Sequence, residues 1–271
     1  MLPVLGPLGI VTLRIAGSAA FFLVLLRLRG VPLARGRRDV LAIAGLAMLG
    51  VVMNQVLILE GVQRTTAMHT NIIITTIPVF TLAVALLFGR ERASTPRLAG
   101  IAVAAGGAVW LAQGASRGSD GATALGDLMI LTSTMFYSTY LVFSRDVLKR
   151  VDPMVLITQA FATGALVILP FGVPALAGVD AARLTPGVAA VAGYIVLGPT
   201  FLAYLLNIWA LKRVVPSTAA MYTYIQPVIT AFLAPLVLGE RVTVRAMAAA
   251  AVIFAGLILA TMVRQQSMEV V

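Results

Sequence analysis

The sequence predicts an all-α, polytopic membrane protein whose nine transmembrane helices form an inverted-repeat helical bundle. The 271 residues are 60% hydrophobic and only 11% charged, whereas about a quarter of the residues in a soluble domain are charged. Nine apolar segments approach the length of about 20 residues that a helix needs to cross a bilayer core ~30 Å thick. One stretch of sequence also occurs twice, at a constant offset of 149 residues.

The nine segments are separated by connectors too short to hold a soluble domain. In chain order they are 5–26, 39–59, 66–88, 96–113, 125–144, 153–172, 187–210, 216–238 and 244–263. The glycine- and serine-rich connector GASRGSDGAT lies between the fourth and the fifth segment, and such a composition is typical of a flexible linker. We therefore place the division between two halves of the chain near residue 120.

The repeated stretch occupies residues 60–92 and 209–241. Each copy has a short polar turn, a long apolar run with a proline near its middle, and a charged Glu-Arg step at its end. Charges and prolines are rare in apolar segments, yet here they align without gaps. The repeat predicts three regions: 1–118 is a first repeat that lacks its first helix, 122–265 is a second repeat of five helices, and 266–271 is a cytoplasmic tail.

The basic residues predict the orientation of the helices. If the connector 27–38 is cytoplasmic, fourteen basic side chains lie on the cytoplasmic face and five on the other, as the preference of Lys and Arg for the cytoplasmic side requires. The C-terminus is then cytoplasmic and the two repeats have opposite orientations, as in many secondary transporters. The helix absent before residue 5 is expected to reflect either a late start of this chain or the loss of a helix.

The composition argues against several other classes of protein. The chain has no cysteine and one histidine, which excludes disulfides, thiolate metal sites and histidine-rich metal sites. The sequence contains no Gly-Lys-Ser/Thr phosphate loop and no Gly-x-Ser-x-Gly elbow, so we expect neither an enzyme nor a bound cofactor. The net charge of +10 resides in short loops rather than in a basic patch, and we expect no binding to nucleic acid.

Several motifs resemble a known family. TTAMHTNIIITTIPVFTLAVALLFGRER and VPSTAAMYTYIQPVITAFLAPLVLGER, the NQVLILEGV before the first of them, and Leu13-Arg14 are similar to the EamA type of the drug/metabolite transporter superfamily. The resemblance covers essentially the whole chain. It implies a bacterial inner-membrane protein of ten helices in two inverted repeats, which exports amino acids or other small metabolites. This sequence departs from the family in lacking a first helix and in ending its first copy with Gly-Arg-Glu.

Polar side chains within the apolar segments form three helical stripes and indicate a substrate path, because polar groups inside a membrane are costly. The stripes are Ser133, Tyr137, Tyr140 and Ser144; Thr200, Tyr204 and Asn207, with Gln55 as the repeat counterpart of Tyr204; and Thr218, Tyr222 and Gln226, with His69 and Thr76 on the equivalent face. We expect them to line a polar cavity shared by the two halves. The alternative is that they form ordinary hydrogen bonds between packed helices.

Arg14 lies about ten residues from either end of its segment, or ~15 Å from each surface by helix rise, and a guanidinium at that depth needs a partner. Its planar fork suits an anionic group of a substrate, such as a carboxylate. The alternative is a structural contact with helix carbonyls or with an acid on the absent helix. The sequence does not decide between the two.

Histidine and proline positions add further candidates. His69 is a plausible proton carrier for an ion-coupled transporter or, equally, an anchor at the membrane surface, and Glu60 is a second possible proton carrier. Asp127 is expected to cap or flank the helix that follows it. Pro78 and Pro227 kink their helices, either as hinges for alternating access or as static bends.

Small residues on the fourth and ninth segments are expected to allow close helix packing. They are Gly100, Ala104, Gly107, Ala248, Ala251 and Ala255. The sequence thus favours a secondary carrier whose partners are a small-molecule substrate and the lipid bilayer, with protons as a candidate coupling ion and a homodimer as a candidate assembly. A non-transporting membrane scaffold, or a truncated relic of such a carrier, is the alternative.

Overall fold

The computed structural model describes residues 2–90, 94–115, 122–180, 184–214, 216–220, 226, 236–237 and 243–262. In these residues the regular structure is entirely helical, which confirms the predicted fold class. The helices, with two π-helical segments named π1 and π2, are α1 (Leu2–Leu28), α2 (Arg37–Ala47), π1 (Met48–Met53), α3 (Asn54–Val62), α4 (Ala67–Ile74), α5 (Ile77–Leu87), α6 (Thr95–Ala115), α7 (Ala124–Leu148), α8 (Pro153–Ala177), α9 (Pro186–Val196), π2 (Leu197–Leu202), α10 (Ala203–Leu211), α11 (Pro216–Ala219) and α12 (Val244–Met262).

All nine predicted segments coincide with described helix, although the eighth is described only at Pro216–Ala219 and a few later positions. Within the described ranges, five helical stretches are long and apolar enough to cross a membrane by length and composition. They are Val4–Leu28, Arg37–Val62, Ala67–Leu87, Pro153–Ala177 and Pro186–Leu211.

Two of these stretches, predicted as continuous α-helices, are interrupted by the π-helical segments. Met48–Met53 and Leu197–Leu202 are separated by 149 residues at both ends, the same offset that relates the two copies of the sequence repeat. A π turn holds one residue more than an α turn and is frequent at functional sites. Hydrophobic periodicity does not reveal a single extra residue, so sequence reasoning missed both segments.

The helix that contains Pro78 is discontinuous. α4 ends at Ile74 and α5 begins at Ile77, with Pro78 in its first turn, because proline cannot supply the N–H that would continue the helix. The hydroxyls of Thr75 and Thr76 each donate to a carbonyl three residues earlier, at 2.5 and 2.6 Å. Side chains thus satisfy backbone groups near the break, as a membrane interior requires.

The chain folds into two compact units. Unit 1 comprises Met1–Leu59 and Phe143–Val215, and unit 2 comprises Glu60–Val142 and Pro216–Val271. Unit 1 therefore combines one segment of the first predicted repeat with one of the second, whereas the Glu60–Val142 segment of unit 2 crosses the predicted division. The predicted division near residue 120 separates the two repeats along the chain. It does not coincide with a boundary between the compact units.

In unit 1, α1 packs antiparallel to α8. Gly172 faces Thr12 so closely that a Cβ at residue 172 would overlap the threonine side chain, and Phe22 packs against Phe161 with ring centroids 5.1 Å apart. Small residues permit close approach of transmembrane helices, where van der Waals packing rather than hydrophobic exclusion drives association. This close contact fixes the position of α1, which carries Arg14.

In unit 2, α6 and α12 are in close contact through small residues. A Cβ at Gly256 would lie 2.5 Å from the Ala104 nitrogen. Gly100, Ala104 and Gly107 are buried as predicted, but on α12 the prediction was wrong. Ala251 and Ala255 are exposed, and the buried face contains Ala246, Ala249, Ile253 and Gly256. The run of alanines in α12 gives no periodic signal, so the packing partner alone selects its face.

Candidate functional site

Arg14 of unit 1 is held by a hydroxyl group of π2. Its Nε donates to Thr200 Oγ1 at 2.9 Å, and the Thr200 hydroxyl in turn donates to the carbonyl of Ile195, five residues earlier, at 2.8 Å. Thr200 is fully buried, whereas Arg14 is half-buried. The arginine as a whole is therefore partly exposed, while the Nε edge of its guanidinium is fixed by the threonine.

Tyr204 connects the helix that follows π2 to π1. Its phenol donates to the Gly50 carbonyl at 2.8 Å and lies 3.5 Å from Asn54 Oδ1, while its ring meets Phe161 edge-on at 5.0 Å. Tyr204 is 8% exposed. Its side chain thus joins the helix that follows π2 to the other π segment.

Side-chain hydroxyls meet backbone carbonyls in and beside the π segments. A π turn departs from the regular hydrogen-bond pattern of an α-helix, and a buried carbonyl without a partner is costly. Gly50 and Ile195 receive hydroxyls from Tyr204 and Thr200, and Ser18 Oγ lies 3.3 Å from the Val196 carbonyl. We call the group formed by Arg14, Gly50, Asn54, Thr200 and Tyr204 the arginine cluster.

Two buried amide side chains of unit 1 have no hydrogen-bond partner among the described residues. Gln55, two residues beyond π1, is 1% exposed, and Asn207, five residues beyond π2, is 7% exposed. The oxygen and the nitrogen of both amides are unpaired. Leaving such a group unpaired costs about 1–3 kcal/mol, so each is a strong candidate for contact with a polar ligand.

The other polar cluster lies in unit 2. His69 Nδ1 is 2.8 Å from Asp127 Oδ2, and the Thr65 hydroxyl donates to the other carboxylate oxygen. His69 is 3% exposed and Asp127 is fully buried. We call Thr65, His69 and Asp127 the histidine cluster. It brings together the first turns of α4 and α7, where helix dipoles favour negative charge.

Asp127 does not cap α7, contrary to the expectation from sequence. Thr123 precedes the helix and its hydroxyl oxygen accepts a hydrogen bond from the Gly126 N–H at 3.1 Å, so Asp127 lies one turn inside and is free to bind His69. The burial of His69 also excludes its role as a surface anchor. Glu60, the other acid considered, is half-buried and forms an ion pair with Arg64 at 2.5 Å.

The predicted stripe on α7 is buried throughout. It consists of Ser133, Tyr137, Tyr140 and Ser144. The rings of Tyr137 and Tyr140 stack with centroids 5.7 Å apart, and the Ser133 hydroxyl donates to the carbonyl three residues earlier. The stripe therefore faces the interior of the protein rather than lipid.

The arrangement of these helices agrees with comparisons to known proteins. A model of the EamA-like transporter family matches residues 1–113 and 124–262. The chain belongs to the EamA-like transporter family. It is therefore a multi-pass membrane transporter, and its family favours a transport function over an enzymatic one.

Relatives support the same assignment, and a solved structure has a similar fold. An uncharacterized transporter of Archaeoglobus fulgidus is 26% identical over 93% of this chain and 88% of its own length. The uncharacterized transporter YdfC of Bacillus subtilis is 25% identical over 75% of this chain and 65% of its own. The chain of a crystal structure is 18% identical to this one, and the match covers 95% of this chain and 89% of the other chain. The TM-score of 0.67 shows a shared fold.

The remaining predicted site residues of this EamA-like transporter are only partly described. Tyr222, Pro227 and the side chain of Thr218 lie outside the described residues, and Gln226 is half-buried. Sequence reasoning did not anticipate the hydrogen bond of Tyr204 to Gly50 or the pairing of His69 with Asp127. For the second pair a signal existed, since the only histidine and one of the two acids within the predicted spans are both rare in apolar sequence.

Proposed function

We propose that this protein is a secondary transporter that exports a small metabolite, such as an amino acid or a related compound, by alternating access between two inverted repeats. The observation that carries the proposal is the half-buried Arg14, which binds a hydroxyl group and forms no ion pair with a described carboxylate. We place the protein in a bacterial inner membrane, with its C-terminus in the cytoplasm as the distribution of basic residues predicts.

The charge of Arg14 favours an anionic group on the substrate. A guanidinium has five N–H donors, and among the described residues only the Nε–H has an acceptor, at Thr200. An unpaired charge inside a membrane is expensive, and the two remaining nitrogens present the planar fork that binds a carboxylate in a bidentate manner. We therefore favour a carboxylate-bearing solute over a neutral or cationic one.

Gln55 and Asn207 extend this argument to the polar part of the substrate. Each amide offers donors and an acceptor that no described residue uses, and a ligand site typically contains a few such polar groups in an apolar surrounding. An apolar analogue would leave these buried amides without a hydrogen-bond partner, so the amides also select against such analogues.

The interrupted helices suggest how the protein changes conformation. Discontinuous transmembrane helices occur at the substrate sites of many transporters built from inverted repeats. In this chain π1 and π2 lie at matching positions of the two repeats, and α4 is separated from α5 next to Pro78. We propose that these three irregularities absorb the bending of alternating access, and that Pro227 supplies the counterpart of Pro78.

Solute counterflow in liposomes tests the proposed function. Purified protein is reconstituted into vesicles preloaded with one solute of a panel of L-amino acids, and uptake of the same labelled solute is measured. A parallel panel contains their methyl esters, which lack the carboxylate charge. We expect saturable counterflow of at least one acid and much weaker counterflow of its ester.

Substitution of the arginine provides the specific control. Arg14→Gln is expected to reduce counterflow by roughly tenfold or more, since a hydrogen bond to a charged group contributes ~1.5–3 kcal/mol. Arg27→Gln, which removes an exposed arginine at the end of the same helix, should retain it. Absence of counterflow for every solute, with folded protein, would favour a non-transporting scaffold. Equal transport of acid and ester would remove Arg14 from substrate recognition.

A further inference from the structure

We propose that a pocket at one end of unit 1 binds the phosphate group of an anionic phospholipid. The pocket has a volume of about 390 Å³, and its lining includes Arg29, Asp152, Leu206, Trp209, Lys212 and Arg213. We call these six residues the basic pocket. Its volume lies within the range of roughly 300–1,000 Å³ that is typical of small-molecule sites. The inference requires only that the protein lies in a membrane, so it is independent of the proposed transport activity.

The basic pocket lies where three apolar stretches of unit 1 end. Val4–Leu28 ends just before Arg29, Pro186–Leu211 ends just before Lys212, and Pro153–Ala177 begins at the pocket. Each stretch is long and apolar enough to cross a membrane by length and composition. Their common end therefore lies near the membrane surface, at the depth of the polar headgroups of the lipids.

The basic pocket has an excess of positive charge. Arg29, Lys212 and Arg213 outnumber Asp152, the one acid among the lining residues, so the net charge is +2. The carboxylate of Asp152 accepts the N–H of Met154 at 2.8 Å and caps α8. The acid is thus engaged with the first turn of its own helix, and the positive charges face an anionic ligand without a competing ion pair.

Basic side chains elsewhere at this end of unit 1 are paired with acids. Lys149 binds Asp146 at 3.3 Å, and Arg150 binds Asp39. By contrast, none of the three cations of the basic pocket forms an ion pair with a carboxylate in the described part of the chain. A phosphate group would supply the anionic partner that the protein itself does not provide.

Arg213 is already ordered on the indole of Trp209. Its guanidinium carbon lies 3.6 Å from the ring centroid, and its Nη1 donates to the Trp209 carbonyl at 3.1 Å. An ordered side chain loses less conformational entropy when a ligand binds. A guanidinium can bind two phosphate oxygens at once, while Lys212 adds a compact charge.

Apolar surface beside the cations favours a phospholipid over a soluble phosphate. Leu206 and Trp209 both line the pocket and are exposed, and a spacing of three residues places them on one face of α10. Acyl chains can pack on this face while the phosphate binds the cations, and tryptophan is enriched at the level of the headgroups. Basic pockets between transmembrane helices bind anionic headgroups in this manner.

Quenching of Trp209 fluorescence by brominated lipids tests the proposal in the full-length protein. The chain has two tryptophans, so Trp110→Phe leaves Trp209 as the only reporter. This reporter protein is reconstituted into phosphatidylcholine vesicles that contain a minor fraction of brominated phosphatidylglycerol or, in parallel, of brominated phosphatidylcholine. We expect the anionic lipid to quench Trp209 at a lower fraction than the zwitterionic lipid. Equal quenching by the two lipids would overturn the proposal.

Removal of single charges from the reporter protein tests the location of the site. Arg29→Gln and Lys212→Gln should each lower the preference for phosphatidylglycerol by roughly fivefold, the effect of one basic residue near an anionic surface. Both side chains are exposed, so the substitutions should leave the fold intact. Arg27→Gln, which removes an exposed arginine outside the pocket, should keep the preference. An equal loss in all three variants would show a diffuse attraction to the membrane surface and overturn the pocket.

Inorganic phosphate distinguishes a lipid headgroup from a soluble anion. It is added to the same vesicles at constant ionic strength, and we expect the preference for phosphatidylglycerol to persist because the acyl chains also hold the lipid. Displacement of the lipid by inorganic phosphate would overturn the assignment to a phospholipid. Absence of solute counterflow would overturn the proposed transport function and would leave the lipid preference unchanged, so the two failures can be told apart.

Discussion

The phenol of Tyr204 donates a hydrogen bond of 2.8 Å to the carbonyl of Gly50, which lies within π1. Tyr204 itself follows π2, so this bond joins corresponding regions of the two sequence repeats within unit 1. It also satisfies a backbone carbonyl in a helix whose regular hydrogen bonding is interrupted. Arg14 binds Thr200 of π2, four residues before Tyr204, so the proposed substrate-binding arginine and this bond are anchored on the same stretch of unit 1.

Tyr204→Phe should weaken both the fold and transport. Removing the hydroxyl leaves the buried Gly50 carbonyl without its side-chain donor, which costs about 1–3 kcal/mol. We expect a lower thermal midpoint in detergent and reduced counterflow. Tyr194→Phe is the matched control, because Tyr194 is 70% exposed and its hydroxyl can be replaced without burying an unpaired group. Equal melting of Tyr204→Phe and the wild type would contradict the importance of this bond.

Gln55→Leu and Asn207→Leu should each reduce transport without reducing the stability of the protein. Each removes a buried amide that has no described partner, and replacing an unsatisfied polar group by an apolar one of similar size is neutral or stabilising. We therefore expect unchanged or higher thermal midpoints together with loss of counterflow. Gln63→Leu, at an exposed position, serves as the control for transport. A fall in stability without loss of transport would show that the amides are structural.

Gly172→Ala should destabilise the contact between α1 and α8. The added methyl group would overlap the side chain of Thr12, and overpacking of this kind costs typically ~1–3 kcal/mol. Gly45→Ala is the matched control in the same unit, since nothing lies within 4 Å of a Cβ at that position. The thermal midpoint of Gly172→Ala should therefore fall, and that of Gly45→Ala should stay unchanged or rise. Identical melting would contradict the close packing of the two helices.

Gly126→Ala should disturb the histidine cluster without altering any of its side chains. A Cβ at this position would lie 2.6 Å from the carbonyl carbon of Arg64, so α7 would have to move away from the turn that precedes α4. We expect the nuclear magnetic resonance signals of the His69 ring to shift and the thermal midpoint to fall. Gly106→Ala, where a Cβ meets nothing within 4 Å, should change neither. An unperturbed histidine spectrum in Gly126→Ala would show that this contact does not position the pair.

The sequence predicted the helices because its main signals are local. Apolar segments of about 20 residues can satisfy their backbone groups within a membrane only as helices, so length and composition located all nine. The stripes on α7 and α10 were predicted from helical spacing, and their residues are indeed buried. The face of α12 was predicted wrongly, because a segment rich in alanine has no periodicity until another helix packs on it.

By itself, the sequence determined the class of the protein, the extent of its helices, the internal repeat and the rare polar residues worth attention, since each of these is fixed by composition or by spacing along the chain. Only the tertiary structure decided which of those residues meet. It paired His69 with Asp127, 58 residues apart, held Arg14 on Thr200, 186 residues away, and placed π segments at equivalent points of the repeat. Contacts over such distances depend on how the helices pack, and no local pattern encodes them.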